Sequence, residues 1–483
     1  MLVGKVVAVI PAAGRGVRIY PKTRTVPKVM LEIVGKPILQ RNVELIRDKL
    51  GIKEIYIVIN YLGWVIKNYF GDGSKFGVKI TYVVNDDMSK GLVNSIYVTK
   101  SHIKGKFVVI LGDEVYINSN HAELRRMLSK DFDAIVGVKK AKNTMEIKKN
   151  YSVEIENGYI KSLVEKPEKI INDYVGCGTY AFSPKIFDFI EKTPKSKRSG
   201  IVELTDVIDM LAKSGGKVIP FFLKCDYVNV NTTEDLNYAN YVWKELNFDK
   251  YKVEVIIPAY NEEKTIGEVV DDFRACKHVD NVIVVDTNST DNTAAIAKKH
   301  GATVITKSGP LSGYGEKLKY AMEQSKSDIM VLVEADGSFR AKDVPKLLEY
   351  MKDADMVVGT RTTRQMIEQG ANMDWFLRWG NVFLGKLVEV LWWKQEPRFT
   401  DVGCTYRAIW KDVFEQIKDD LHAKGPEFSP EMMIEILRHK KRVIEIPVSY
   451  YRRAGGESKH SKGKLRSIKT GLKMLSLILR KRF

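Results

Sequence analysis

Short β-branched runs alternate with amphipathic stretches along most of the chain, and the alternation starts twice. Val6-Val7-Ala8-Val9-Ile10-Pro11-Ala12 opens one half, and Val253-Glu254-Val255-Ile256-Ile257-Pro258-Ala259 opens the other. Each run ends in proline, enters a polar loop and continues into a helical pattern, which is how a βαβ unit begins. The pattern predicts strands at 55–59, 79–84, 107–111 and 134–138 in the first half. In the second it predicts them at 282–285, 303–305, 329–333 and 356–358, with helices between, as at 37–50, 264–275 and 291–300. Such alternation predicts α/β domains whose mostly parallel sheets are covered on both faces. Ligands then belong at the carboxyl ends of the strands, where the polar loops fall. The two opening loops differ in chemistry, so one architecture is expected to carry two sites. No Gly/Ser/Pro-rich spacer separates the halves. The expected division is 1–248, 249–460 and a C-terminal helix at 461–483.

Composition removes several classes. The chain has 483 residues, 44% apolar and 29% charged, which suits globular domains rather than disorder. Its four cysteines, Cys177, Cys225, Cys276 and Cys404, are far apart, and no HExxH-type histidine pair occurs. A disulfide framework or a thiolate zinc site is therefore not expected. The longest apolar stretch, 376–393, is broken by Arg378, Lys386 and Glu389, so no membrane-spanning helix is expected. A reducing, cytoplasmic setting follows as the default. The net charge of +18 fits nucleic acid, an anionic membrane or phosphate substrates, and only its location can choose among them.

After the first opening strand the loop reads Ala12-Ala13-Gly14-Arg15-Gly16-Val17-Arg18, then Pro27-Lys28 and Gly35-Lys36-Pro37. Glycines let backbone N–H groups close on phosphate oxygens, and Arg18 and Lys28 add positive charge. With Gly91-Leu92-Val93-Asn94-Ser95, Leu111-Gly112-Asp113, Glu165-Lys166-Pro167 and Gly176-Cys177-Gly178-Thr179, residues 3–245 resemble the sugar-1-phosphate nucleotidyltransferases. Asn94-Ser95 looks most like the cytidylyltransferase branch. The resemblance implies that a sugar (or polyol) 1-phosphate attacks the α-phosphate of an NTP and pyrophosphate leaves. It implies catalytic roles for Arg18 and Lys28, and a nucleotide pocket of Ala12, Ala13, Gly14, Gly16, Asn85 and Gly91. Glu165 and Lys166 would bind the sugar phosphate, and Asp113 would bind Mg²⁺. The family's second metal-binding Asp, in Trp-x-Asp-Val-x-Thr-x-Glu-Asp, is replaced by Asn229 in Tyr227-Val228-Asn229-Val230-Asn231-Thr232-Thr233-Glu234-Asp235.

In the second half, Pro258-Ala259-Tyr260-Asn261-Glu262 ends the opening strand and Asp286 the next. The apolar run Val331-Leu332-Val333 then delivers Glu334-Ala335-Asp336, two carboxylates on one side of a strand end, which suits a divalent cation on a diphosphate. With Gly359-Thr360-Arg361, Gly370-Ala371-Asn372, Thr400 to Arg407 and Ser458-Lys459, residues 252–460 resemble family 2 glycosyltransferases, closest to the polyprenyl-phosphate (dolichyl-phosphate) branch. The resemblance implies that Pro258, Tyr260, Glu262 and Asp286 hold the nucleoside. Glu334 and Asp336 would hold Mg²⁺ (or Mn²⁺), and Arg361, Arg407 and Lys459 would meet phosphate. Asp401 is a candidate general base, although a phosphate acceptor hardly needs one. The two resemblances together imply two tandem Rossmann-like domains of GT-A type.

The charge is concentrated. Residues 451–483 carry eleven Lys/Arg against one Glu. There Leu465, Ile468, Leu472, Leu475 and Leu479 recur at helical steps, with Arg466, Lys469, Lys473 and Arg480 mostly on the other side, as a basic amphipathic helix at an anionic lipid surface requires. A helix packed on the protein with a solvated basic face is the alternative. The expectation is a bifunctional, peripheral enzyme that makes a nucleotide-sugar and transfers a sugar to polyprenyl phosphate, with no nucleic-acid partner. Two readings remain beside it: a first half that only binds or regulates, motivated by Asn229, and a basic nucleic-acid binder.

Overall fold

The computed structural model describes residues 6–170, 172–306, 313–371, 373, 375–454 and 464–483. The chain divides into two compact units, Met1–Trp243 and Lys244–Phe483.

The first unit is built on a nine-stranded sheet. Its parallel part runs Lys79–Val84, Glu54–Ile59, Val7–Pro11 and Phe107–Ile110. Strands covered on both faces need continuous apolar runs, and Ala8, Val9 and Ile10 are fully buried. Tyr174–Phe182 then pairs antiparallel with Phe107–Ile110 and with Ala134–Lys140, and Val218–Phe222 closes that edge parallel to Ala134–Lys140. A hairpin of Tyr151–Glu156 and Tyr159–Glu165 joins the same sheet.

The second unit repeats this order. Thr303–Thr306, Asn281–Asp286, Val253–Ala259 and Ile329–Leu332 lie parallel. Arg407–Trp410 is antiparallel beside them, followed by Met356–Thr360 and, parallel to it, Val443–Pro447. The seven strands thus match seven of the first sheet in order and direction; the hairpin is the first unit's addition. In both units the opening strand sits between its sequence neighbour and a later strand. The chain reverses its winding there, and a crevice forms at the carboxyl ends. Asp113 and the Glu334/Asp336 pair follow the equivalent strands, so the repeated topology delivers acid to the same place twice.

Helices cover the sheets as the periodicity predicts. Ile266–Arg274 buries Ile266, Val269, Val270 and Phe273, one stripe of a 3.6-residue period. Trp375–Leu391 buries only Leu384, Gly385 and Val388, and leaves Trp375, Trp379, Phe383 and Val390 more than half exposed. A Cβ on Gly385 would lie 2.7 Å from the Phe399 carbonyl, so glycine permits this close seating. The basic C-terminal helix, Lys464–Arg482, packs against Trp375–Leu391 and Phe428–Arg438. It docks through Met474, Leu477 and Ile478, joined by only Leu475 of the leucine row read from its sequence; Leu465 is 85% and Leu472 60% exposed. Among the described residues no helix is long and apolar enough to cross a membrane.

Candidate functional site

In the first unit two cavities share a wall. One, about 420 Å³, is lined by the loop after the opening strand, including Ala12, Ala13, Gly14 and Gly16, and by Arg18, Lys28, Asn85, Gly91, Asp113 and Asn231. Gly16 has φ +61°, and a Cβ there would lie 2.8 Å from Lys28 Cβ; glycine lets the lysine cross the loop. Gly91 likewise has φ +74° and would strike Ile201. Asn85 is buried; its Nδ2 donates to Ser95 Oγ at 2.9 Å and its Oδ1 accepts from Asn94 Nδ2 at 2.6 Å, which fixes the cavity's polar end. The other cavity, about 260 Å³, includes Glu114, Glu165, Lys166, Tyr227 and Asn229 in its lining. Arg18 and Asn231 belong to both.

The polar groups at the seam are closely linked, with two cations to one carboxylate. Lys28 Nζ makes an ion pair with Asp113 Oδ2. Arg18 Nη2 donates to Asn231 Oδ1 at 2.6 Å, and Lys28 Nζ approaches the same oxygen at 3.3 Å. Asn229 Oδ1 accepts from Asn231 Nδ2 at 2.7 Å, and Val230 N donates to Asp113 O at 3.0 Å, which places the expected metal ligands side by side. One carboxylate and one amide oxygen fit a divalent cation, with less charge than two carboxylates supply. Glu114 does not replace the missing acid. It is buried and accepts from Tyr116 Oη, from Tyr227 Oη at 2.6 Å and from Gly178 N at 2.8 Å. Burial pushes its carboxyl up to about 7 against those donors. Burial, and then the Glu203 charge, also raises Glu165; Arg198 lies 3.0 Å from Glu203 and 3.9 Å from Glu165.

In the second unit Pro258 and Asp286 lie on adjacent parallel strands, with Tyr260 and Glu262 just beyond. Asp286 Oδ1 accepts from Ser289 N and Oγ, at 3.1 and 2.6 Å. Glu262 N donates to Thr293 Oγ1 at 2.8 Å, and Lys317 Nζ sits 4.8 Å from the centre of the Tyr260 ring. Asp336 is nearly fully buried; Oδ1 accepts from Ser338 N at 2.9 Å, while Oδ2 carries no hydrogen bond and lies 2.9 Å from Arg453 Nη2. Glu334 Oε2 is 3.3 Å from the same guanidinium nitrogen, and Glu334 Oε1 accepts from Thr405 Oγ1. Burial and the neighbouring Asp336 charge push Glu334 up to about 7. Two crowded carboxylates, one with a buried oxygen free of hydrogen bonds, are a donor set that fits a divalent cation.

Two expected residues lie inside the unit. Asp401, the candidate general base, is fully buried and clasps Arg361 with both oxygens. Arg407, expected to meet phosphate, is 1% exposed and donates to the carbonyls of Ser429, at 2.9 Å, and Cys404. Burial lowers its pKa, and it braces the backbone beneath the site. Arg361 does face the site. Burial opposes its charge, but Asp401 overrides this and holds the guanidinium above its usual range. Lys459 lies outside the described residues.

Arg361, Glu334 and Arg453 form the polar floor of a cavity of about 360 Å³. Its walls are apolar: Phe376, Leu377, Phe383 and Leu384 from one helix, and Ile468, Leu472, Met474 and Leu475 from the C-terminal helix. Arg453, Asn231 and Glu445, which accepts from the backbone N–H groups of Thr400 and Asp401, were not singled out by the sequence. Arg453 and Asn231 lie beside motifs that were, and Glu445 carries no local motif at all.

The sequence model of the Nucleotidyl transferase family matches residues 7–279, and that of Glycosyl transferase family 2 matches residues 254–417. The chain belongs to the nucleotidyl transferase family, and its second stretch is similar to family 2 glycosyl transferases. The first match runs on through the second unit's opening strand, the element that most resembles its own start. Among curated relatives, the low-salt glycan biosynthesis nucleotidyltransferase Agl11 of Haloferax volcanii is 30% identical over 48% of this chain and 64% of its own length. The UTP–glucose-1-phosphate uridylyltransferase AglF of the same organism is 33% identical over 43% of this chain and 84% of its own. The bifunctional protein GlmU of Methanocaldococcus jannaschii is 34% identical over 51% and 57%. The chain thus spans less than two thirds of Agl11 and GlmU. A solved UDP-glucose pyrophosphorylase in complex with UDP-glucose is 26% identical and covers 50% of this chain and 99% of its own, with a TM-score of 0.45.

Proposed function

We propose that the protein is bifunctional. The first unit joins an NTP to a sugar (or polyol) 1-phosphate, and the second transfers a sugar from a nucleotide-sugar to a polyprenyl phosphate at an anionic membrane surface. The observation that carries the acceptor is the second unit's cavity. Its apolar walls suit a hydrocarbon chain, and its cationic floor at Arg361 and Arg453 suits the phosphate at that chain's end.

In the first unit, a phosphate oxygen of the sugar phosphate attacks the α-phosphorus of the triphosphate and pyrophosphate leaves. Arg18 lines both cavities and can face charge on attacking and leaving groups alike; Lys28 faces the triphosphate. In the second unit, an acceptor phosphate oxygen attacks the anomeric carbon and a nucleoside diphosphate leaves. The acceptor is already anionic, so no base is needed, in keeping with Asp401 being committed to Arg361. Mg²⁺ (or Mn²⁺), held by Asp336 with Glu334 in one unit and by Asp113 with Asn229 in the other, would neutralise phosphate charge. The exposed aromatic row of Trp375–Leu391 and the basic C-terminal helix support a peripheral position on the inner face of a membrane.

The test is incubation of the full chain with Mg²⁺ and pairs of NTP and sugar 1-phosphate, beginning with UTP and glucose 1-phosphate, the pair in AglF's name. A short-chain polyprenyl phosphate is then added. Pyrophosphate release followed by a charged glycolipid is expected. No pyrophosphate from any pairing overturns the first assignment; no glycolipid from any supplied nucleotide-sugar overturns the second.

A further inference from the structure

At the seam of the first unit's two cavities, two cations share one neutral oxygen. Arg18 Nη2 is 2.6 Å and Lys28 Nζ 3.3 Å from Asn231 Oδ1. A carboxamide has a single acceptor oxygen, so its direction matters, and here it is fixed at both ends. Its Nδ2 donates to Asn229 Oδ1 at 2.7 Å, which turns Oδ1 toward the cations. Its backbone N–H donates to Asp235 Oδ2 at 2.9 Å, as does Thr232 N at 2.8 Å, while Asp235 N donates to Thr232 Oγ1 at 3.2 Å. That reciprocal pattern is a capping box at the start of the helix Thr233–Asn247, and it fastens Asn231 to a rigid element.

Charge explains why an amide suits this place. Lys28 already has the Asp113 carboxylate. A second carboxylate at residue 231 would cancel the remaining positive charge that a triphosphate must meet. An apolar side chain would leave Arg18 without this partner and the two cations without a shared anchor. The amide oxygen aligns both and neutralises neither.

We propose that Asn231 is a positioning residue for nucleotidyl transfer, holding Arg18 and Lys28 together where the triphosphate and the sugar phosphate meet. The inference rests on the reaction proposed above for this unit. It acts through Arg18 and Lys28, and its effect reaches both substrates because Asn231 and Arg18 border both cavities.

The test compares the full-length wild type with Asn231→Leu and Asn231→Asp. Three quantities are measured on each: the melting temperature, the affinity for UTP and CTP with Mg²⁺ by calorimetry, and the kinetics of pyrophosphate release. Leu matches the size without an acceptor. It is expected to keep the melting temperature while lowering triphosphate affinity and kcat by roughly ten-fold or more, the scale of a hydrogen bond to a charged group. Asp restores the acceptor but adds charge, so it is expected to recover kcat toward wild type while triphosphate affinity stays reduced. That split between kcat and affinity is not produced by a merely structural role. Wild-type kinetics and affinity in the Leu variant overturn the proposal, and so does a loss that follows the melting temperature and is not recovered by Asp. If the wild type releases no pyrophosphate from any pairing, the reaction assignment fails; the triphosphate affinities of the same three proteins still decide whether Asn231 positions the cations.

Discussion

Asp401 clasps Arg361 with both carboxylate oxygens, Nε to Oδ2 at 2.8 Å and Nη2 to Oδ1 at 2.9 Å, and also accepts the Arg361 backbone N–H at 2.9 Å. Glu445 in turn holds the Asp401 loop, accepting from Thr400 N at 2.9 Å and Asp401 N at 3.1 Å. A charge reaching the cavity floor is thus anchored through a buried acid, Asp401, and a half-buried one, Glu445. Breaking such a pair strands a buried charge, so Asp401→Asn is expected to cost about 3–5 kcal/mol of the second unit's stability. It should also lower sugar transfer while pyrophosphate release persists. Urea unfolding and the two assays, run on one preparation, check this; undiminished transfer would show that Arg361 needs no clasp.

Asp336→Asn tests whether the two sites are separate. It removes the buried carboxylate whose Oδ2 has no hydrogen bond. Sugar transfer should fall by at least ~100-fold, the scale for losing a preorganised electrostatic group, while pyrophosphate release is unchanged. Loss of both activities in a folded protein would contradict two independent sites.

Gly178 faces the first unit's buried acid. A Cβ there would sit 2.5 Å from both Glu114 carboxylate oxygens and from Leu111 Cγ. Gly178→Ala must therefore displace Glu114 from Tyr116, Tyr227 and the Gly178 N–H. A destabilisation of about 1–3 kcal/mol is expected, with lower pyrophosphate release, because overpacking here also unseats a buried hydrogen-bonded group. An unchanged melting temperature would show that Glu114 has room to move.

Lys244 gives a pH signature away from either site. Its Nζ donates to Met351 O at 3.2 Å and Ala354 O at 2.9 Å, above the Trp410 ring. Burial lowers its pKa from 10.5 to about 8. Between these values the unfolded chain binds the proton more strongly than the folded one, so this group makes stability rise with pH from about 8 to 10.5. Lys244→Met should flatten that rise in denaturant midpoints measured across the interval. An unchanged slope would mean that the amine titrates normally.

Much of this was legible beforehand because it is local. The strand predicted at 55–59 is Glu54–Ile59 and that at 303–305 is Thr303–Thr306, since β-branched runs between polar turns leave few alternatives. The antiparallel strand Arg407–Trp410 was not legible: four residues without a turn signal are placed only by their neighbours on the sheet. The same holds for side chains. The loop around Gly14 and Gly16 announces its chemistry in sequence, and it does line a cavity. Arg407 and Arg361 look alike in sequence, as basic residues beside motifs. Burial separates them, one facing inward on carbonyls and the other toward the cavity, and burial is set by contacts distant in the chain. The C-terminal helix shows the same limit. Its leucine row was readable, but the residues buried on docking are Met474, Leu477 and Ile478, with Leu475 alone of the row packed beside them.

That outward leucine row has a consequence for binding. Leu465 and Leu472 on the C-terminal helix are mostly exposed, as are Trp375, Trp379 and Phe383 on the helix packed against it. Arg466, Lys469 and Lys473 are exposed on the C-terminal helix too. Aromatic and aliphatic groups flanked by cations match a bilayer with anionic headgroups, where each cation near the surface contributes about 1 kcal/mol. Replacing both Lys469 and Lys473 with Ala should therefore weaken binding to phosphatidylglycerol-containing vesicles by roughly thirty-fold, and added salt should weaken the wild type as well. Trp375→Ser with Trp379→Ser should lower binding even at low salt, because that contribution is apolar. Co-sedimentation with anionic and with neutral vesicles measures all of this. Equal binding to the two kinds of vesicle would remove the anionic headgroups from the proposal, and none to either would remove the membrane and leave the cavity to a soluble acceptor.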